Sequence, residues 1–281
     1  MRGLANDRIL MYHGTPAADG AALERQLRCV SLAFPVVPLD ALAQRRRSGT
    51  RARVALTFDD GLRSNVEVAY PILRKLGLTA TFFVCPGLID RGEWLWNHEA
   101  RQRLLSLPKE EVGELAAHVG APEEVEGFIE WMKTLPLAER RQVEARIREA
   151  TPRFSPTGEQ RAQFDLAPWA ELKKLDPQVV TIGSHTLTHP ILTSLTAEET
   201  EAEMRESRFA LERRLERAVT QFCYPNGNLN DAALESARRH YRSAVTVDPG
   251  FLDDAADAHQ LPRFAAHPRG MKRLVRRMIF G

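Results

Sequence analysis

Short apolar runs alternate along the chain with longer stretches whose apolar residues recur every three or four positions. Arg8-Ile9-Leu10-Met11-Tyr12-His13 is a run of the first kind and predicts a buried strand that meets a loop at Gly14 and Pro16. Residues 20–33 are of the second kind, with Leu23, Leu27 and Val30 on one helical face. Val36 and Val37 predict a short strand, residues 39–47 a helix, and residues 52–58 another buried strand running into Asp59-Asp60-Gly61. A helix over 66–76 has Pro71 as a kink or restart. Residues 79–85, rich in β-branched and aromatic side chains, predict a strand stopped by Pro86-Gly87. The pattern resumes with a helix at 168–175, a strand at 179–183 leading to Ser184-His185, and a long helix at 197–217. A strand at 220–224, a helix at 231–240 and strands at 243–247 and 261–265 complete the series.

Strands alternating with helices imply a parallel sheet, and this many units predict an α/β fold of the distorted (β/α) barrel kind. Residues 98–164 break the alternation. They are rich in Glu, Arg, Ala and Leu, and Pro108, Pro122, Pro136, Pro152 and Pro156 divide them into helical pieces. The expectation is a single domain over residues 1–281 with a helical insertion at 98–164.

Of the 281 residues, 43% are hydrophobic and 27% charged, which suits a soluble globular domain. A formal net charge of +2 gives no reason to expect a nucleic-acid partner. The first ten residues show no secretory pattern, and Cys29, Cys85 and Cys223 form no metal-type pair, so a cytoplasmic protein is expected. At the carboxyl end Met271, Leu274, Val275 and Met278 share a helical face, with Lys272, Arg273, Arg276 and Arg277 opposite. Such a basic amphipathic helix either docks on the barrel or makes peripheral contact with an anionic membrane at its inner face.

Three polar clusters directly follow predicted strands: His13, Asp59-Asp60, and His185 with His189. In a barrel these ends converge on one face. Adjacent carboxylates point in different directions, so one can bind a cation while the other accepts a proton; Asp-Asp-Gly is also ordinary turn sequence. His185 and His189, spaced i and i+4, would share a face if they lay on a helical turn. Two imidazoles and one carboxylate with open positions make a reasonable catalytic site for zinc, with cobalt and nickel as alternatives.

Thr57-Phe58-Asp59-Asp60-Gly61 and Ser184-His185-Thr186-Leu187-Thr188-His189 resemble the first two motifs of the polysaccharide deacetylase (NodB-homology) family, carbohydrate esterase family 4. Phe222-Cys223-Tyr224-Pro225-Asn226-Gly227 resembles the third, and order and separation also agree. The resemblance implies a NodB-type barrel and a metal-dependent N-deacetylase acting on an N-acylated saccharide. It implies Asp60, His185 and His189 as metal ligands and Asp59 as the base toward metal-bound water. It implies an oxyanion site in the Tyr224, Pro225 and Asn226 turn, through the Asn226 N–H.

The sequence departs from the family pattern at two places. Many members have an arginine where Cys223 stands, and Arg263, at another strand end, is the candidate replacement for orienting the base. The late Leu-x-His motif that supplies the general acid is missing; Leu10-Met11-Tyr12-His13 resembles the amino-terminal Tyr-His of a divergent branch, which makes His13 the candidate acid, with His267 weaker. Trp94, Trp96 and Trp169 are candidates for stacking on sugar rings. Two rival readings are hydrolysis of another amide at the same site, and a barrel that binds saccharide without turning it over.

Overall fold

The computed structural model describes residues 6–44, 51–253 and 256–280. Strands β1 (Arg8–Tyr12), β2 (Val54–Phe58), β3 (Ala80–Val84), β4 (Val180–Ser184), β5 (Gln221–Cys223), β6 (Ser243–Val245) and β7 (Phe264–Ala265) form one parallel sheet. Their order is β6-β5-β4-β3-β2-β1-β7. The first three strands are buried at every position, as their unbroken apolar runs require when both faces of a parallel sheet are covered. The sheet curls until its edges meet through one short segment. Leu261 bridges to Val245 in parallel and donates its N–H to the Ala244 carbonyl (3.0 Å), while three residues later Phe264 lies beside Leu10 of β1. Everything at the carboxyl ends therefore faces one mouth.

The helices are α1 (Gly20–Ala33), α2 (Leu39–Ala43), α3 (Tyr70–Leu76), α4 (Pro86–Arg91), α5 (Trp96–Leu105), α6 (Lys109–Val119), α7 (Val125–Met132), α8 (Leu137–Ala150), α9 (Gly158–Phe164), α10 (Trp169–Leu172), α11 (Ala197–Leu215), α12 (Asp231–His240) and α13 (Met271–Phe280). Residues 45–47 of the helix expected over 39–47 lie outside the described residues. Ahead of α3 the chain makes a π-helical turn (Asn65–Ala69), and Pro71 sits in the first turn of α3, where its missing N–H is harmless. A capping box at Thr196 and Glu199 starts α11, whose buried stripe is Thr200, Met204, Ser207, Leu211 and Leu215.

Helices α4 to α10 lie in the connection from β3 to β4, and α5 to α8 have a core of their own, including Leu104, Phe128, Ile129, Met132 and Ile147. Trp96 and Ile191 belong to the same cluster, so these helices pack directly over the segment that follows β4. In α13, Leu274 and Met278 are buried in the main core together with Val30 and Phe34, whereas Val275 is 45% exposed. Among the described residues, no helix is long and apolar enough to cross a membrane.

Candidate active site

The parallel register sets the site. Tyr12 lies beside Phe58, so His13 and Asp59 leave the sheet at one level, and Val84 beside Ser184 places His185 close by. Asp60 and Gly61 then take left-handed backbone conformations, φ 72° and 69°. A side chain at Gly61 would meet Val84 at 3.0 Å, so position 61 needs glycine for both its φ and its space. Four of the five non-glycine residues with positive φ among the described residues lie here: Asp60, Thr186, His189 and Asn226. Strain of about 1–3 kcal/mol at each such residue, gathered in one place, marks a functional site.

Asp60 Oδ1 lies 3.5 Å from His185 Nε2 and 3.6 Å from His189 Nε2, and all three side chains are buried. The two imidazoles do not sit on a helical turn, contrary to the expectation from their i, i+4 spacing. Residues 185–189 form a bent loop in which Thr186 (φ 65°) reverses the chain and its Oγ1 accepts the His189 N–H at 2.9 Å. The bend, not a helix face, brings the rings to a centroid distance of 4.8 Å. His185 Nδ1 is 2.7 Å from the Cys223 carbonyl; donation there fixes the ring with Nε2 toward Asp60, where a cation could take its lone pair.

Asp59 stands apart from that set. Arg263, fully buried, donates Nη1 and Nη2 to Asp59 Oδ1 and Oδ2, both at 2.8 Å, and Nε to the Thr246 carbonyl at 2.7 Å. Cys223 Sγ is 3.1 Å from Arg263 Nη2, so the guanidinium comes in across the thiol from the segment that closes the barrel. Burial alone would raise the Asp59 carboxyl, but the charge and hydrogen bonds of Arg263 hold it below the ordinary carboxylate range. Burial opposes the charge of Asp60 too, and the neighbouring His185, His13 and His189 outweigh that and drive it far down. Burial and then the charge of His185 push His189 down to about 3, so its ring is neutral.

A cavity of about 270 Å³ opens over these groups, lined by His13, Asp59, Asp60, His185, His189, Tyr224 and Asn226. His13 is exposed at its mouth. Tyr224 lines the cavity, but its hydroxyl donates to the His259 carbonyl (2.9 Å). Pro225 is buried and does not line it, and Asn226 does, with φ 56° and ψ 3°. Trp96 is the one tryptophan in the wall; Trp94 donates to Asp165 and Trp169 to Asp90, away from it. His267 lies outside the cavity, its carbonyl accepting from Gln26. Sequence reasoning missed Asn97, His98 and Lys133, which also line it. Asn97 and His98 lie in the first turn of α5, beyond α4, and so carry no strand-end signal.

A (β/α) barrel with a buried carboxylate–imidazole cluster at the carboxyl ends of its strands is the class that fold and site define. The chain belongs to the polysaccharide deacetylase family, whose description matches residues 46–245. It is 23% identical over 216 residues to the Bacillus subtilis (strain 168) protein YxkH, provisionally named a polysaccharide deacetylase. That match takes in 76% of this chain and 52% of the relative, so the chain spans about half the length of this curated relative. The structure is similar to Streptococcus pyogenes deacetylase PplD in complex with acetate, at TM-score 0.65 and 20% identity, covering 98% of this chain and 99% of that one. It is also similar to IcaB from Ammonifex degensii, at TM-score 0.63 and 17% identity, covering 98% and 97%. A de-N-acetylase from Aggregatibacter actinomycetemcomitans gives TM-score 0.60 at 13% identity, covering 96% and 99%. At these identities the likeness is one of fold: the distorted barrel of the NodB-homology type.

Proposed function

We propose that the chain hydrolyses the N-acetyl group of an amino sugar carried in a glycan, using a divalent ion held by Asp60, His185 and His189. The observation that carries this reading is one carboxylate oxygen within 3.6 Å of two imidazole nitrogens, beside a second carboxylate outside that set and oriented by its own arginine. The donor set fits the ion. One carboxylate oxygen and two imidazole nitrogens suit zinc, cobalt or nickel, and Arg263 pairs with Asp59, which leaves Asp60 to the two imidazoles. When bound, such an ion acidifies water and polarises an acyl oxygen.

The chain's own groups supply the rest. Asp59, kept anionic by Arg263, accepts the proton of the attacking water. The Asn226 turn offers a backbone N–H to the acyl oxygen as it gains charge. His13, at the cavity mouth, gives a proton to the departing amine. His13→Ala is therefore expected to lower kcat by about 10²–10⁴-fold with metal content unchanged. Turnover at the wild-type rate would remove His13 from this role.

A second hollow of about 830 Å³ adjoins the catalytic cavity and shares Lys133, Ile191 and Asn226 with it. Thr134, Thr193, Ser194 and Asn228 line it with hydroxyls and an amide, which favours a substrate longer than one sugar. Acetate release from N-acetylated mono-, di- and tetrasaccharides tests the reading, and kcat/KM is expected to rise with length. No acetate from any of them with zinc, cobalt or nickel supplied would overturn it. Cytoplasmic residence is part of the proposal, supported by three cysteines that form no disulfide. Contact with an anionic membrane would fall to the exposed Lys272, Arg273 and Arg276 of α13, since Leu274 and Met278 are already buried.

A further inference from the structure

The loop that carries both imidazoles is tied down on every side. The Cys85 thiol donates to the His185 carbonyl (3.1 Å), the Gly87 N–H to the Leu187 carbonyl (3.0 Å), and Trp96 Nε1 to the His189 carbonyl (3.1 Å). A side chain at position 87 would come within 2.7 Å of that Leu187 oxygen, so α4 presses against the loop there. Three donors of the loop go to a single group. Glu203 Oε2 accepts the N–H of Leu187 and of Thr188, both at 2.9 Å, and Oε1 accepts the Thr188 hydroxyl at 2.6 Å.

Glu203 is half-buried on α11, beside the buried stripe that holds Thr200, Met204 and Ser207. A carboxylate placed there needs partners, and the loop supplies three. The same loop holds Thr186 and His189 in left-handed conformations that a free chain would leave. We infer that Glu203 is a positioning residue for the metal-ligating loop: its three hydrogen bonds hold residues 187 and 188 so that both imidazoles face Asp60. The inference rests on the metal site proposed above. Glu203 touches neither the ligand atoms nor the cavity, so it acts only through the geometry of the loop.

The test uses the full chain and its Glu203→Ala and Glu203→Gln variants, with Zn²⁺ affinity read by competition against a chromophoric chelator. Glu203→Ala is expected to bind Zn²⁺ about 10–100-fold more weakly, the usual effect of losing a group that orients a ligand. Glu203→Gln keeps all three bonds, because its amide oxygen accepts the two N–H groups and its NH₂ donates to the Thr188 hydroxyl. It is expected to bind as the wild type does. Wild-type affinity in Glu203→Ala would overturn the inference. So would Glu203→Gln binding as weakly as Glu203→Ala, since charge and not the clamp would then be acting. If Glu203→Ala does not fold, Thr188→Ala, which removes one of the three bonds, is expected to weaken Zn²⁺ binding, and unchanged affinity overturns the inference. A wild-type protein that binds no Zn²⁺ would instead defeat the metal site itself.

Discussion

Replacing Arg263 with leucine is expected to remove about 3–5 kcal/mol of unfolding free energy and most of the turnover. Arg263 is fully buried and gives Asp59 two hydrogen bonds of 2.8 Å, so its loss leaves a buried carboxylate with no cation. The pH dependence follows from the sign of the shift. Arg263 lowers the folded-state value of Asp59, so the pair stabilises the protein above the unfolded carboxylate value of about 3.9, and that stability is lost as pH falls through the folded value. In Arg263→Leu the main opposition to burial is gone and the carboxyl rises. The deficit against wild type is then largest above that raised value, shrinks as pH falls through it toward about 3.9, and shrinks further below that as the wild type loses its own pair. Denaturant unfolding at both ends of that range checks it. Adding Asp59→Asn to Arg263→Leu should recover much of the stability, because neither charge remains, and none of the turnover. Full stability in Arg263→Leu at neutral pH would mean that the pair does not hold Asp59.

His185→Ala should have the largest effect on metal binding. His185 supplies one of the two imidazole nitrogens and fixes its own ring by the 2.7 Å bond to the Cys223 carbonyl. Its removal is expected to weaken metal binding by more than the roughly 10–100-fold typical of an outer partner, and acetate release should fall with it. Far-UV circular dichroism should change little, since the side chain packs at the cavity wall and not within the barrel core. Zinc content equal to wild type in His185→Ala would exclude it as a ligand.

Much of the barrel was legible because its strands are continuous apolar runs buried on both faces. The runs at residues 8–12, 54–58 and 80–84 stand out from amphipathic helices that bury one stripe, such as Leu23, Leu27 and Val30 in α1. Asp59, Asp60, His185 and His189 were visible as polar residues at strand ends. What joins them was harder to read. Arg263 meets Asp59 across 204 positions only because residues 261–265 close the ring, which no local pattern encodes. The i, i+4 histidines suggested a helical turn, but Thr186 takes φ 65°, a conformation that a β-branched residue rarely adopts and that spacing cannot reveal. Asn97 and His98 reach the cavity from α5, and Glu203 on α11 bonds the 185–189 loop from behind it; their own segments give no chemical motif. The carboxyl-terminal pattern was ambiguous because docking on a core and lying on a membrane demand the same amphipathic face. The burial of Leu274 and Met278 uses that face within the fold.

The most direct measurement is a metal titration of chelator-stripped protein that follows bound Zn²⁺ and acetate released from an N-acetylated oligosaccharide in the same samples. Expected is no release from stripped protein, and a rise that saturates at one equivalent of bound metal in the wild type and is absent in Asp60→Asn. Acetate release at the full rate from stripped protein, or saturation of Asp60→Asn at the same single equivalent, would contradict a metal centre built on Asp60, His185 and His189.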